Sequence, residues 1–425
     1  MPSTRLETIK RSAFPVAMLA VMLLNVFAMY PWAYELRRAD AAISEVPQSS
    51  NHSTLPVAST SRQQLRVVVL EGDAYERGLK HGKELRNEIA GLMGHWKAWI
   101  KDTFKQDPDD FIATFLNNSR FLEAAHQWQP EILDEVRGIA EGAEADFDTM
   151  FAYQLIDEMW AMGQDLGAHH CSSIGIDRRG DQATIVAQNL DLPEYMHGFQ
   201  TLLHIKMPPH EDDVDGKLLQ IYTFTLPGIV AANGINNYGV AVACNTVLQL
   251  KPDPEGLPVD FVVRGLLDCR SREDAVAFAR SVRHASGQNY IIGGKNEAWC
   301  LECSQDVVTR FEPSAGCGYT YHTNHPVVNE NYTDQYRARV EAARAKNEPP
   351  TVSHRFESLE KRLNDPAKIN IQSIRETLAS QDHPADPICN AGTYGTLIMV
   401  LEEKPYLLLA PGAPNKTEFQ RFDFE

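Results

Sequence analysis

Residues 170–191 read HCSSIGIDRRGDQATIVAQNLD. Two runs rich in apolar and β-branched residues flank a polar turn that contains Gly180, which is the pattern of a β-hairpin. Cys171 stands at the first position of the first strand, and Asp191 ends the second strand. The stretch therefore predicts two paired strands with a cysteine at an unusual place for a surface thiol.

The position of Cys171 indicates a nucleophile that becomes a new N-terminus when the chain is cut before it. The α-amino group released by such a cut has a pKa of about 7.7–8.0, so it can act as the base for its own thiol. The alternative interpretation is a packing residue, since an unpaired cysteine often behaves as a small buried hydrophobe.

The composition is that of a globular protein. The chain has 425 residues, of which 43% are hydrophobic and 23% are charged, and this length allows one large domain or two ordinary ones. The formal net charge of −17 argues against nucleic acid as a partner, because binding a polyanion needs a basic surface. Seven cysteines are an odd number, so at least one thiol stays unpaired.

The N-terminal sequence predicts a membrane anchor. A basic segment at 1–12 precedes an apolar run at 13–34, which has about the 20 residues that a membrane helix needs. We predict an anchor or uncleaved signal at 13–34 and a flexible linker at 35–64. The alternative is a signal peptide that is cleaved near Ala39-Asp40-Ala41. Basic residues are denser before the apolar run than after it, which places the body on the non-cytoplasmic side, periplasmic or extracellular.

The body, residues 65–425, shows two kinds of pattern. Up to about Trp160 apolar residues recur at helical spacing, and Gly138 and Gly142 within one such run indicate close packing against a neighbour. After Cys171, short apolar runs between turns indicate antiparallel strands. The predicted strands are 172–177, 183–189, 201–206, 217–224, 229–233, 239–247, 288–294, 297–303, 306–311, 395–401 and 405–409. The predicted helices lie around 258–282, 333–346, 354–363 and 371–379. Two stacked sheets between helical layers, an α+β fold, satisfy both patterns.

Seven segments of the body occur in an order that is informative as a set. They are EGDAYERGLKHG at 71–82, EVRGIAEG at 135–142, CSS at 171–173 with QNLD at 188–191, PGIVAANGINNYGVAVACN at 227–245, HTNH at 322–325, SHRFESL at 353–359 and GTYGTLIMV at 392–400. Together they resemble the acyl-coenzyme A:6-aminopenicillanate acyltransferase-like family, which consists of autoproteolytic N-terminal cysteine nucleophile hydrolases. The resemblance runs through nearly all of residues 65–425.

The resemblance implies a four-layer αββα sandwich of the N-terminal nucleophile hydrolase type and self-cleavage before Cys171. The cut would divide the catalytic domain into fragments 65–170 and 171–425. The implied activity is that of a cysteine hydrolase or acyltransferase that acts on small linear amides, or on acyl thioesters, through an acyl-Cys171 intermediate. This chemistry requires no metal or redox cofactor, and no Gly-rich phosphate loop marks a separate nucleotide site.

The resemblance also implies roles for other residues. Asn245 would donate a hydrogen bond to the developing oxyanion, and Asp191 would be a carboxylate near the nucleophile. Arg355 would bind a carboxylate, with Arg337 as the competing candidate. The plainer interpretations are a strand end for Asn245, a turn carboxylate for Asp191 and a solvated helix face for either arginine. Gln188 stands where the ceramidase branch of the family carries arginine, which puts a lipid amide substrate in doubt.

Two other kinds of protein are compatible with the sequence. The first is a catalytically silent, membrane-anchored binding or scaffold protein with the same fold. The second is a zinc-stapled domain, since Cys300, Cys303, His322 and His325 could supply four zinc ligands. Two residues separate the histidines, fewer than the usual three to five, and positions three apart on one strand face opposite sides.

Overall fold

Two β-sheets form the centre of the protein. The computed structural model describes residues 65–163, 171–209 and 216–425. The strands are β1 (Arg66–Glu71), β2 (Ser172–Ile176), β3 (Thr184–Asp191), β4 (Thr201–Met207), β5 (Leu219–Thr225), β6 (Gly234–Asn236), β7 (Ala241–Thr246), β8 (Gln288–Gly293), β9 (Ala298–Ser304), β10 (Val307–Phe311), β11 (Tyr319–His322), β12 (Thr393–Leu401), β13 (Tyr406–Ala410) and β14 (Gln420–Asp423). The helices are α1 (Ala74–Glu84), α2 (Arg86–Phe104), α3 (Pro108–Asn117), α4 (Phe121–Trp128), α5 (Pro130–Ala143), α6 (Phe147–Tyr153), α7 (Ile156–Gly163), α8 (Val259–Leu267), α9 (Arg272–Ser281), α10 (Asp334–Lys346), α11 (His354–Leu363) and α12 (Ile371–Leu378).

The sheets are almost entirely antiparallel. One has eight strands in the order β1-β4-β5-β6-β7-β8-β9-β10, and the other has six in the order β11-β2-β3-β12-β13-β14. Among the named strands of the described residues, only β1 and β4 pair in parallel. Strands β2 and β3 pair with Ser172 opposite Asn189 and Ile176 opposite Ile185. The hairpin expected at 170–191 is therefore present.

The two sheets pack against each other. Strands β2 and β3 of the six-stranded sheet contact β7, β8 and β9 of the eight-stranded sheet. A Cβ atom on Gly175 of β2 would lie 2.9 Å from side-chain carbons of both Ile291 and Ala298. Because that distance is well inside ordinary van der Waals contact, the absence of a side chain at Gly175 allows the sheets to approach.

Helices cover further faces of these sheets. Ile174 and Ile176 of β2 belong to a second buried cluster that includes Leu359 of α11 and Leu378 of α12. These two isoleucines lie on the face of β2 opposite to Gly175, as alternation along a strand requires. Helices α8 and α9 contact β7 and β8 of the other sheet. The mixed α+β class is confirmed.

Helices α1 and α5 cross closely because glycines lie on both. A Cβ atom at Gly78 would lie 1.9 Å from the carbonyl oxygen of Glu135, and one at Gly138 would lie 2.2 Å from that of Tyr75. Any side chain at either position would push the helices apart. Gly138 and Gly142 of α5 predicted close packing against a neighbour, and that neighbour is α1.

One predicted strand, 229–233, is wrong. The chain turns at Pro227–Gly228, where Gly228 adopts φ +86°, and the backbone N–H of Val230 donates to the side-chain oxygen of Gln154. That side chain also donates to the carbonyl oxygen of Gly228. The side chain of Gln154, which follows α6 directly, thus satisfies the polar groups that a neighbouring strand would otherwise bind, and the strand begins later, as β6.

Other boundaries also differ from the sequence-based expectation. The predicted helix at 258–282 is two helices, α8 and α9, separated by Asp268–Ser271. The short strands β11 and β14 were not predicted. Residues 1–64, which include the predicted segments 1–12, 13–34 and 35–64, lie outside the described residues. Within 65–163, 171–209 and 216–425, no helix is both long and apolar enough to cross a membrane.

Candidate active site

The β2–β3 hairpin brings Cys171 and Asp191 together. Cys171 immediately precedes β2, and Asp191 is the last residue of β3. Antiparallel pairing places the start of one strand beside the end of the other, and the Cys171 thiol lies 3.9 Å from the carbonyl oxygen of Asp191, to which it donates. The Cys171 residue is only 5% exposed.

The thiol of Cys171 is held in its neutral form. Burial raises its pKa to about 12, and the negative charge of Asp191 acts in the same direction. The hydrogen bond to the backbone of Asp191 and the positive charge of Arg355 offset only part of this rise in pKa. A thiol is a weak nucleophile compared with its thiolate, so a proton acceptor must act on Cys171 before it can attack.

Asp191 is a buried carboxylate with unused hydrogen-bonding capacity. Its Oδ2 atom accepts a hydrogen bond from the side-chain amide of Asn390, at 2.5 Å, while Oδ1 has no partner among the described residues. Burial raises the pKa of Asp191 to about 6, although the charge of Arg355 and hydrogen bonds from Thr393 and Asn390 lower it in part. The plainer interpretation of Asp191 as an exposed turn carboxylate is wrong, since the residue is 1% exposed.

Arg355, in the first turn of α11, holds the backbone of the nucleophile. Its Nη1 atom donates to the carbonyl oxygen of Cys171 at 2.7 Å and to the hydroxyl of Ser172 at 3.2 Å. Its Nε atom donates to Asp386 at 2.7 Å, which orients the guanidinium. The competing candidate Arg337 is exposed on α10 and lies over the ring of Tyr332. The structure therefore brings Arg355, and not Arg337, to Cys171.

Asn245 is not one of the residues that line the cavity beside Cys171, although its chain neighbours Cys244 and Thr246 are. Asn245 pairs with Asn289 of β8, on the face of the sheet whose Ile291 packs against Gly175 of β2, so alternation places Asn245 on the face of β7 toward the sheet that contains β2. Asn245 Oδ1 accepts from the side-chain amide of Asn289 at 3.1 Å, and its own Nδ2 has no partner among the described residues. The amide is buried and has one donor to offer, but the part assigned to it in oxyanion binding stays a prediction.

A second amide, Asn324, joins the group and was not predicted as a site residue. Its Oδ1 atom accepts from Nη2 of Arg355 at 3.2 Å, and its Nδ2 atom donates to the carbonyl oxygen of Thr246 at 3.0 Å. Asn324 is thus one contact away from the backbone of Cys171. Asn324 is the asparagine of the HTNH segment at 322–325. That segment was part of the family resemblance, but only its two histidines had been considered as candidate site residues.

The loop that carries Asn324 is fixed by Glu302 of β9, which is fully buried. One carboxylate oxygen of Glu302 accepts from Nε2 of His322 at 2.7 Å. The two oxygens also accept the backbone N–H groups of Val327, Val328 and Asn329, at 2.6, 3.0 and 2.6 Å. This single carboxylate holds both ends of the segment that contains Asn324.

The four candidate zinc ligands make other contacts. Cys300 donates to the side-chain oxygen of Asn289 at 2.9 Å, and Cys303 lies against the carbonyl oxygen of Leu301. His322 faces Glu302, and Nδ1 of His325 lies 3.1 Å from the hydroxyl of Thr323. In the described parts of the chain, no group of three or more His, Cys, Asp or Glu side chains is placed to hold a metal ion. All seven cysteines are described, and each is a free thiol.

A cavity of about 70 Å³ borders Cys171. Apolar side chains of α7, β3 and the 226–232 turn make up much of its wall. The remaining wall includes Thr225, Thr246 and three carboxylates, those of Asp157, Asp191 and Asp260. A reacting acyl group at Cys171 would therefore meet an apolar surface interrupted by acidic groups.

The chain shows two similarities to known proteins. Residues 178–391 match the family described as acyl-coenzyme A:6-aminopenicillanic acid acyl-transferase. Among solved structures, the chain is similar to penicillin V acylase from Agrobacterium tumefaciens, at 12% sequence identity. That similarity covers 60% of this chain and 86% of the other chain, with a TM-score of 0.35. The family match begins after Cys171 and includes Asp191, Asn245 and Arg355.

Proposed function

The chain belongs to the acyl-coenzyme A:6-aminopenicillanic acid acyl-transferase family, and from this premise we propose that it is a self-processing cysteine hydrolase or acyltransferase of the N-terminal nucleophile type. It acts on linear amide or thioester acyl bonds through an acyl-Cys171 intermediate. One observation carries the proposal: Cys171 is buried at the very start of β2, and Arg355 holds its carbonyl oxygen at 2.7 Å.

Self-processing follows from the placement of the thiol next to its own peptide bond. The Cys171 sulfur attacks the carbonyl carbon of His170, and the acyl group moves from the nitrogen of Cys171 to its sulfur. Water then hydrolyses the thioester, which leaves a carboxylate on His170 and a free thiol and α-amine on Cys171. Arg355 and Asp191 support this step by holding the Cys171 carbonyl and thiol in a fixed position.

The freed α-amine then supplies the base that the buried thiol lacks. Its pKa of about 7.7–8.0 lies near ambient pH, so the neutral amine takes the thiol proton and the thiolate attacks the substrate carbonyl carbon. The resulting ammonium returns the proton to the leaving nitrogen as the carbon–nitrogen bond breaks, and the acyl group remains on sulfur. Water completes hydrolysis, or a second amine completes transfer, by attacking this thioester.

Two side chains assist without forming covalent bonds. Asp191 provides the counter-charge for the α-ammonium at Cys171, and its unpartnered Oδ1 atom is free to accept a hydrogen bond from that group. The tetrahedral intermediate needs donors aimed at its oxygen, and the two candidate amides are Asn324, which contacts Arg355, and Asn245. The zinc-stapled alternative has no observation in its favour.

The proposal is tested by intact-mass measurement and N-terminal sequencing of the purified full chain. We expect two fragments, one of them beginning at Cys171, and an uncut chain in the Cys171→Ala variant. Cys244→Ala is the matched control, because this second buried thiol lines the same cavity and its loss should leave the cut in place.

An uncut wild-type chain of native fold would overturn self-processing and with it the α-amine as base. The catalytically silent binding or scaffold protein would then be the better interpretation. A cut chain whose Cys171 thiol shows no enhanced reactivity toward acyl thioesters or activated amides would retain processing but remove catalysis.

We also propose that residues 13–34 anchor the protein in a membrane, with the body on the periplasmic or extracellular side. This segment lies outside the described residues, and the proposal rests on its apolar length and on the basic residues before it. Resistance of the full chain to alkaline carbonate extraction, with protease sensitivity of the body from outside the cell, is the expected result. Release into the soluble fraction would contradict it.

A further inference from the structure

The cavity beside Cys171 carries an unusual charge. Asp157 of α7, Asp191 of β3 and Asp260 of α8 all line it, so three separate elements each contribute a carboxylate to one small space. Among the described residues that line the cavity, none is a lysine, arginine or histidine. Arg355, the nearest cation to Cys171, is committed to Asp386 and to the backbone of the nucleophile.

These carboxylates are costly in their present surroundings. Burial raises the pKa of Asp157, and it raises that of Asp260 well above its usual range, with the charges of Asp157 and Glu158 adding to the effect on Asp260. The Asp157 carboxylate accepts from the hydroxyl of Thr246 and the amide of Gln288. No described side chain or backbone group donates to the Asp260 carboxylate. Asp260 is half-buried, and a partly desolvated carboxyl with neither a protein hydrogen bond nor a counter-ion favours its protonated form or a nearby cation.

Two further atoms of the cavity wall point to a ligand with hydrogen-bond donors. Thr225 is 1% exposed, and its hydroxyl has no partner among the described residues. Asp191 is also 1% exposed, and its Oδ1 atom is equally without a partner. Both residues line the same cavity as Asp157 and Asp260. Buried polar atoms are normally satisfied, so these acceptors leave room for N–H groups supplied from within the cavity.

We propose that this cavity selects acyl amides that carry a positively charged amino group, with Asp157 and Asp260 as the groups that bind the ammonium. The inference rests on the proposed function, since it assumes that substrate enters beside Cys171. An ammonium in the cavity provides the counter-charge that Asp157 and Asp260 lack, and its N–H groups match the free hydroxyl oxygen of Thr225, while Oδ1 of Asp191 remains for the α-ammonium of Cys171. The same wall repels a carboxylate, so an amine that is itself an acid, as 6-aminopenicillanic acid is, fits poorly here.

The released α-ammonium of Cys171 does not account for all three carboxylates. Asp191 is the one whose backbone contacts the thiol, at 3.9 Å, and it suffices as a partner for that ammonium. The strongest charge influences on Asp260 come from Asp157 and Glu158, whereas those on Cys171 come from Asp191, Arg355 and Asp157. Asp260 therefore belongs to the part of the cavity away from the α-amine, where substrate would lie.

The test uses three amides of one acyl group that differ only in the end of the amine part. The amines are 1,2-diaminoethane, n-propylamine and β-alanine, which end in an ammonium, a methyl and a carboxylate group. A second series places the same three groups at the end of the acyl chain. We expect kcat/KM for the ammonium member of at least one series to exceed that of the methyl member about tenfold or more, with the carboxylate member lowest.

The Asp260→Asn variant should reduce the ammonium-over-methyl ratio about tenfold, because it removes the charge with little change of shape. Asp110→Asn removes an exposed carboxylate on α3 and should leave the ratio unchanged. A self-processed enzyme that cleaves the methyl or carboxylate members as well as the ammonium member in both series would overturn the inference and leave the proposed function standing. If the chain is uncut and inactive, the affinities of the same amides are measured by calorimetry. Equal affinities for the ammonium, methyl and carboxylate members would also overturn the inference.

Discussion

At the scale of single residues, the site is defined by groups whose protonation is controlled by burial. Cys171 and Asp191 both titrate at higher pH than they would in water, because desolvation disfavours the charged form of each. A carboxyl that shares a small space with a thiol thus lowers the thiol's tendency to ionise. Only the arrival of a positive charge, such as the α-ammonium of Cys171, reverses that relation.

The raised pKa of Asp191 makes a prediction about stability. Its pKa rises from 3.8 to about 6 on folding, so the folded state binds the proton more tightly than the unfolded state. The resulting stabilisation is fully present below about pH 4 and is lost as the pH rises through about 6, by roughly 3 kcal/mol. In the uncut Cys171→Ala background, Asp191→Asn should therefore gain stability relative to its parent between about pH 4 and pH 7.5.

Urea unfolding of the two proteins at both pH values measures this difference. Asp148→Asn, an exposed carboxylate on α6, serves as the control and should show no such change. A stability difference between parent and Asp191→Asn that does not depend on pH would mean that Asp191 titrates as it does in water.

The two amides near the site make a second prediction at the same scale. A donor to the oxyanion must lie about 3 Å from the developing charge, and its loss typically lowers kcat about 10²–10³-fold. Because Asn324 contacts Arg355, which holds the Cys171 carbonyl, whereas Asn245 makes its side-chain hydrogen bond to Asn289 of the neighbouring strand, we expect Asn324→Ala to cost about that factor and Asn245→Ala less than about tenfold. Steady-state kinetics of self-processed variants are the measurement, and the reverse ranking would restore Asn245 as the donor.

At the scale of elements, the loop between β11 and α10 is held by a single carboxylate. Glu302 of β9 accepts one side-chain and three backbone donors from this segment. Removing one partner of a buried charge network leaves the others uncompensated, which typically costs about 3–5 kcal/mol. We infer that Glu302 is a positioning residue, since it acts on the site through Asn324.

The Glu302→Gln variant should therefore lower kcat more than it raises KM, and amide hydrogen exchange at 323–329 should speed up. A glutamine offers one acceptor oxygen where the carboxylate offers two. Glu302→Asp, which keeps the charge, should restore part of the activity if the glutamine variant is too unstable to assay. Glu297→Gln, an exposed carboxylate just before β9, is the matched control. Unchanged exchange in the loop of a folded Glu302→Gln protein would remove the positioning role.

The sequence predicted elements better than it predicted contacts. The hairpin at 170–191 could be predicted because its pairing is local and its turn residues are distinctive. The turn at Pro227–Gly228 could not, since it depends on Gln154, a residue far away in the chain. Asn324 was missed for the same reason: its contact with Arg355 arises only when β11 and α11 pack together. Arg355 itself was found through a motif, and not through any property that the residue displays alone.

At the scale of the whole molecule, self-cleavage before Cys171 poses a question of assembly. The proposed cut separates residues 65–170 from residues 171–425, yet the eight-stranded sheet contains both. Strand β1 of the first fragment pairs along its whole length with β4 of the second. Asp157 accepts from Thr246, and Glu158 accepts from the backbone of Val259. The fragments are thus joined by a sheet and by buried polar contacts.

The Arg77–Glu135–Arg264 cluster is a buried ionic link between the fragments. Arg77 and Glu135 come from α1 and α5, and Arg264 comes from α8 beyond the cut. Glu135 Oε2 accepts from Arg77 at 3.1 Å and from Arg264 at 3.0 Å, and all three residues are nearly inaccessible. Although burial alone would raise the pKa of Glu135, the charges of the two arginines hold it below its ordinary value.

This geometry predicts that the cut protein stays a single particle and that Glu135 is needed for it. Wild-type fragments should elute together in size-exclusion chromatography and separate only on unfolding. Glu135→Gln leaves the buried Arg77 without its ion-pair partner and Arg264 with Asp268 alone, which should cost about 3–5 kcal/mol and release the fragments at lower urea. Glu131→Gln, an exposed carboxylate on the same helix, should behave as wild type. If Glu135→Gln and Glu131→Gln dissociate at the same urea concentration, the β1–β4 pairing and the other contacts hold the fragments together without the cluster, and the cluster serves only to orient the helices.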